Sequence, residues 1–217
     1  MTLINLSDYE KRVYSQNGED GIIERIFQSI GTTNKYYVEF GTEDGVTQCN
    51  TRNLREKGWS GLLMDCAFSN PAINLHKEFI TRENINELFD KYSVPQEPDL
   101  ISIDVDGNDY WLWQAINRKP RVVVIEYNMF IPDGVFKVIK YDPNFKYKGD
   151  KYFGASIDSM RKLGQLKGYA FVGLDSLGIN SFFVRNDLLK EDYTIPKRSE
   201  PKPIYNRPEG RTDWEII

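Results

Sequence analysis

This chain has one histidine, two cysteines and no long apolar run, and each scarcity removes a class of function. Histidine is the commonest general base, so with His76 alone any proton transfer falls mainly to carboxylates. Cys49 and Cys66 are too few for a disulfide framework and are not spaced as a metal knuckle. A reduced, cytoplasmic setting is the expectation. No apolar stretch approaches membrane-spanning length, and the first 17 residues lack the apolar centre of a signal peptide. Nor is there a basic excess: the net charge is −4, against the basic face that nucleic-acid binding needs. Internal repeats and low-complexity tracts are missing as well.

What is present is a well-cored domain. Of the 217 residues, 40% are hydrophobic and 13% aromatic, which excludes a disordered chain and suits one domain better than two. The expected organisation is a single domain over 1–189, opened by a helix, and a proline-rich charged tail over 190–217 that forms a surface arm or a poorly ordered end.

The most informative stretch is Tyr36-Tyr-Val-Glu-Phe-Gly-Thr-Glu-Asp-Gly45. An apolar run ends in Gly41-x-x-x-Gly45, and Asp65 closes a second apolar run twenty positions later. Strand, glycine turn and acidic strand end are the parts with which an α/β domain holds an adenosine-containing cofactor. Here the turn carries Glu43 and Asp44. Two carboxylates repel a pyrophosphate but attract a cationic sulfonium, so the loop fits S-adenosylmethionine better than NAD or ATP.

Periodicity and breakers predict a helix over Asn17–Ile30 with Asn17 as N-cap, then strand Tyr36–Phe40, helix Thr51–Lys57 and strand Gly61–Asp65. A helix near Pro71–Glu78, a weak strand around Phe79–Arg82 and a helix over Ile85–Tyr92 follow. Strands Asp99–Val105 and Arg121–Tyr127 flank a helix at Trp111–Asn117. Beyond an aromatic and basic loop, Tyr141–Gly149, come helix Ser156–Lys167 and strands Tyr169–Leu174 and Ser181–Arg185, close enough for a hairpin. Continuous apolar strands separated by helices mean a parallel sheet covered on both faces. The fold class expected is therefore α/β, Rossmann-like: a seven-stranded, mostly parallel sheet with an antiparallel last strand and helices on both faces.

Five segments carry a family likeness: Tyr14-Ser-Gln-Asn-Gly-Glu-Asp20, Val38–Gly45, Trp59–Asp65, Leu100-Ile-Ser-Ile-Asp-Val-Asp-Gly-Asn-Asp-Tyr110 and Val122–Asn128. In this order they resemble FkbM-type S-adenosylmethionine-dependent methyltransferases of class I, over roughly residues 14–185. The resemblance implies methylation of hydroxyl groups, often on sugars of glycans or natural products, and leaves the acceptor open.

Candidate cofactor residues are Gln16 and Asn17 in front of the sheet, Glu39, Gly41 and Gly45 at the first strand end, Asp65 for the ribose hydroxyls, and Glu83 and Asn84 for the adenine. In related methyltransferases, the acid that matches Glu39 helps hold the methionine or ribose part. The competing readings are helix caps at Asn17 and Asn84 and solvated or capping acids at Glu39 and Asp65. A second constellation, Asp104, Asp106, Asn108 and Asp109 with Glu126 and Asn128, lies at two strand ends that should be neighbours. Asp104, Glu126 and Asn128 are three hard oxygen donors suited to Mg²⁺ or Mn²⁺ rather than zinc. The set is similar to the metal site of catechol O-methyltransferase, although Asp-x-Asp-Gly-Asn reads equally as a tight turn. Asp104 also faces the cofactor, and Asp104 or Asp106 is the candidate base. Expected partners are a small-molecule or glycan acceptor and, as an open alternative, a second copy of the chain; nucleic acid and a membrane span are not expected. A metal-independent methyltransferase and a non-catalytic Rossmann-like binding protein remain the alternatives.

Overall fold

The computed structural model describes residues 3–194 and 207–217. Its elements in chain order are α1 (Glu19–Ile30), β1 (Tyr36–Phe40), α2 (Arg52–Glu56), β2 (Ser60–Asp65), β3 (Leu75–Lys77), α3 (Ile85–Lys91), β4 (Leu100–Ile103), α4 (Asp109–Ala115), β5 (Val122–Glu126), β6 (Lys137–Val138), α5 (Ile157–Lys167), β7 (Tyr169–Leu174), β8 (Asn180–Arg185) and β9 (Glu215–Ile216). Seven strands form one sheet in the order β3-β2-β1-β4-β5-β8-β7, while β6 and β9 make a small antiparallel pair of their own. The β3-β2-β1-β4-β5 ladders are parallel, and β8 runs antiparallel to both β5 and β7. This is the expected Rossmann-like arrangement: a seven-stranded, mostly parallel sheet with β8 running antiparallel to its neighbours and helices on both faces.

The sheet holds because its central strands offer apolar side chains to both faces. Val122, Val123, Val124 and Ile125 are all fully buried, as are Leu100, Ile101 and Ile103. Val123, Ile125, Ile101 and Val38 pack with residues of α3, α4 and α5, including Phe89, Trp113 and Leu163. On the other face, Val122, Val124, Leu100 and Leu63 meet Ile22, Ile23 and Ile26 of α1 and Leu54 of α2. At about 1.5–3 kcal/mol for each large side chain buried, these two clusters are the main stabilising term.

Local chemistry shifts two expectations. The helix expected at Pro71–Glu78 is a single 3₁₀ turn, Pro71–Ile73, ended by Asn74 in the left-handed region at φ 55°. The edge strand then starts at once, with Leu75 buried and paired to Leu63, so no strand forms at Phe79–Arg82, where Phe79 is exposed. One turn of helix was too little to bury anything; a strand at 75 buries Leu75. Asn17 also fails to cap α1. The cap position is Gly18 at φ 104°, with no side-chain cap. Instead, the Asp20 carboxylate accepts from the N–H groups of Val13, Tyr14 and Ser15 at 2.8–2.9 Å, folding the preceding loop onto the helix start.

Among the described residues no helix is long and apolar enough to cross a membrane. The tail expectation falls partly on residues 195–206, outside those described. Residues 207–217 lie along the loop that follows β5, where β9 pairs with β6.

Candidate active site

The carboxyl ends of β1, β4 and β5 open into a cavity of about 270 Å³. Its floor is the turn after β1. Gly41 sits at φ 75°, and a Cβ there would lie 1.4 Å from the Asp104 carbonyl oxygen, so the β1 and β4 ends touch backbone to backbone. Glycine is obligatory at this point. Gly45 acts elsewhere. At φ 66° it turns the chain against Leu63 and Ile73, and it does not line the cavity. Six non-glycine residues among those described have positive φ, and three of them, Glu43, Gln48 and Asp106, border this cavity. Backbone held in such sparsely populated regions gathers at functional sites.

The acids at the β1 and β2 ends are largely occupied. Glu39 is buried and accepts from Asn50 N at 2.8 Å through Oε1, and from Cys49 Sγ (2.9 Å), Thr51 N (2.9 Å) and Thr51 Oγ1 (2.6 Å) through Oε2. Burial raises its pKa and these hydrogen bonds pull it back. It lines the cavity and at the same time fixes the 49–51 segment beneath it. Asp65 accepts from Glu43 N at 3.0 Å, Ala67 N at 2.7 Å and Phe68 N at 3.2 Å, so it pins the Gly41–Gly45 turn to the loop after β2; it is not on the cavity wall. Asp44 turns to its own backbone, accepting from Val46 and Thr47, and the Thr47 N–H above all holds its pKa low. Of the two carboxylates that give the turn its negative charge, Glu43 alone faces the cavity.

Gln16 lines the cavity; Asn17 does not, and its amide and N–H both serve Glu19. Glu19 lines it, fixed by Asn180 Nδ2 at 2.9 Å. Glu83 and Asn84 are elsewhere. Glu83 is exposed and bound to Arg82 and the Tyr141 hydroxyl, while Asn84 accepts from Thr81 N and donates to the Phe79 carbonyl, facing away from α3 rather than capping it. His76 contacts Asn74 and stacks on Tyr92, away from the cavity.

The ends of β4 and β5 differ. Asp104, Asp106 and Glu126 each bring a carboxylate oxygen to within 4.8 Å of the others. That span is about twice a metal–oxygen bond for a hard divalent cation, so all three can share one ion. Asp109 builds the cluster without joining it: its buried carboxylate accepts from Val105 N at 2.8 Å and Gly107 N at 2.9 Å, closing the turn that aims Asp106. Burial first, then mutual repulsion, pushes Asp104 and Glu126 well above the usual carboxylate range and Asp109 up to about 7. Glu126 Oε2 is buried with no hydrogen-bond partner among the described residues. An orphaned buried oxygen among acids fits a cation-binding site.

Asn128, expected as the third ligand, is not in this set. It is fully buried, donates to the Lys151 and Phe153 carbonyls at 2.9 and 2.8 Å, and accepts from Phe130 N at 2.9 Å, so its amide ties down the 151–153 segment. The carboxylate that completes the cluster is that of Asp106. Met129, Phe130 and Phe153 form the apolar wall, and Arg207 of the tail completes the lining. Sequence reading missed Thr42, Gln48, Asn50, Asn180 and Arg207. The β5–β8 register, which pairs Glu126 with Asn180, is the signal that a hairpin alignment holds for one of them.

No protein-family model and no curated protein matches the chain. Among solved structures it is similar to the N-terminal domain of EvdMO1 with SAH bound, at 14% identity and a TM-score of 0.46, covering 79% of this chain and 80% of that one. The same domain in the presence of SAH and D-fucose gives 13% identity and a TM-score of 0.43 over 76% of this chain and 80% of that one. TnmH gives 13% identity and a TM-score of 0.43, covering 76% of this chain and 56% of that one.

Proposed function

We propose that the chain is an S-adenosylmethionine-dependent O-methyltransferase of FkbM type, acting on a sugar hydroxyl with the help of a divalent cation. One observation carries the reading: a cavity at the carboxyl ends of β1, β4 and β5 in which a carboxylate-bearing glycine turn faces a trio of acids, one of whose oxygens, Glu126 Oε2, is buried with no hydrogen-bond partner among the described residues. Ligands of open α/β sheets bind at such strand ends.

The roles divide by side. Glu43 and Glu39 give the donor side a negative potential that favours a sulfonium over a pyrophosphate. Gly41 lets the chain approach the ligand closely. Asp104, Asp106 and Glu126 would hold a Mg²⁺ or Mn²⁺ ion, whose bound form supplies Lewis acidity that lowers the pKa of a hydroxyl. Asp106, the exposed member of the trio, is placed to take the hydroxyl proton on its carboxylate. Met129, Phe130 and Phe153 exclude water and offer faces on which a sugar ring stacks. Methyl transfer is an in-line displacement, so walls that hold oxygen and methyl in a row supply much of the rate.

Titration calorimetry with S-adenosylhomocysteine tests the donor half, with micromolar binding expected. Labelled methyl transfer to a panel of sugars and nucleotide sugars, with and without chelator, tests the rest. Turnover that survives chelation would favour a metal-independent enzyme. Failure to bind S-adenosylhomocysteine would leave a non-catalytic binding protein.

A further inference from the structure

Arg207 reaches the cavity from the far end of the chain, and the docking that brings it there is extensive. Lys151 N donates to the Pro208 carbonyl at 2.8 Å, Lys151 Nζ pairs with Glu209, and Trp214 packs on Tyr152 with ring centroids 4.7 Å apart. The guanidinium ends up 5.7 Å from the Phe130 ring centroid, 5.2 Å from that of Tyr147 and 5.6 Å from that of Phe153. Its Nη1 donates to the Tyr147 hydroxyl. Arginine has five N–H donors, and among the described residues that hydroxyl is its one hydrogen-bond partner.

Six carboxylates line the cavity, from Glu19, Glu39, Glu43, Asp104, Asp106 and Glu126; among the described residues Arg207 is the one cation. A guanidinium placed only to neutralise them would form an ion pair, and among the described residues it forms none within 4 Å. Three rings and a hydroxyl hold its plane instead and leave Nε and Nη2 with no hydrogen-bond partner among the described residues. A rigid fork on a cavity wall matches a carboxylate or a phosphate in bidentate fashion.

Resting on the methyltransferase reading above, the geometry points to Arg207 as the residue that selects the acceptor, by gripping an anionic group, carboxylate or phosphate, on the molecule whose hydroxyl is methylated. The test measures binding of methyl glucuronide, glucose 6-phosphate and neutral methyl glucoside to the full chain saturated with S-adenosylhomocysteine, by calorimetry or ligand-observed NMR. At least one anionic probe is expected to bind the wild type about tenfold tighter than the neutral one, and the two anionic arms tell carboxylate from phosphate. Arg207→Gln should abolish that preference, and Arg207→Lys should restore only part of it. Equal binding of all three probes, including none, overturns the inference, as does a preference that survives in Arg207→Gln. So does a variant in which Mn²⁺ binds tighter while the probes are unaffected, because Arg207 is then merely a counter-ion of Asp106 and Glu126. Binding of S-adenosylhomocysteine itself should be unchanged by the substitution; its absence in the wild type would sink the methyltransferase reading instead.

Discussion

The two halves of the cavity use the same residue type in opposite ways. On the β1–β2 side, two acids are satisfied by neighbouring N–H, O–H and S–H groups: Glu39 on the cavity wall takes four hydrogen bonds, and Asp65 behind it three. On the β4–β5 side, Asp104, Asp106 and Glu126 face one another, and Glu126 Oε2 has no hydrogen-bond partner among the described residues. A carboxylate surrounded by donors organises a loop; one surrounded by carboxylates is kept for something positive that arrives later. On the proposed reading, the difference separates the acids that build the site from those that would hold a cation.

The largest effect is expected where the halves meet. Gly41→Ala forces a Cβ onto the Asp104 backbone at a positive φ, and backbone has no rotamer to yield. A loss of about 3 kcal/mol or more in denaturant unfolding, with loss of S-adenosylhomocysteine binding, is expected. A stable variant that binds normally would mean that the halves are not tied at that contact. Next comes Glu126→Gln, which removes a charge from the trio and keeps the shape. Turnover should fall about 10³-fold and Mn²⁺ binding should weaken, while thermal stability in metal-free buffer should equal or exceed that of the wild type because like-charge repulsion is relieved. Destabilisation without loss of metal binding would place Glu126 with the building acids.

How far the sequence could show this division depends on what each residue's partners are. The parallel sheet was legible because Val122–Ile125 is a continuous apolar run and Leu100–Ile103 is broken only by Ser102, and such runs need a doubly covered sheet to bury them. The acid cluster was legible as to strands, since Asp104 and Glu126 sit at adjacent strand ends. It was not legible as to the third member: Asp106 and Asn128 each lie two residues past an acid of the cluster, and what separates them is the Asn128 amide binding carbonyls 23 and 25 residues away. Arg207 gave no local signal either, because β9 reaches β6 across a long stretch of chain. Edge strand β3 was misplaced because its three residues carry no period, and only the pairing of Leu75 with Leu63 fixes it.

Asp65 sharpens the comparison from the donor side. Asp65→Ala strands the Glu43, Ala67 and Phe68 N–H groups, for a stability loss of about 1–3 kcal/mol. Affinity for S-adenosylhomocysteine should drop in step, since the glycine turn loses its anchor. Affinity lost at unchanged stability would show instead that Asp65 touches the ligand directly.

The smallest effect should come from Glu83→Ala. From the sequence, a polar pair just before α3 is well placed to reach an adenine, but the structure turns both members outward. Glu83 is solvent-exposed and engages Arg82 and Tyr141, whose ring lies 3.9 Å from the Arg82 guanidinium, and Asn84 closes the turn between Phe79 and Thr81. An exposed pair of this kind contributes little to stability because solvent screens it, and its loss leaves the Arg82–Tyr141 contact in place. Calorimetry on Glu83→Ala should therefore give wild-type affinity for S-adenosylhomocysteine, with a melting shift near zero. A several-fold loss of affinity at unchanged melting temperature would move the adenine toward α3 and extend the donor side beyond the cavity that β1 and β4 define.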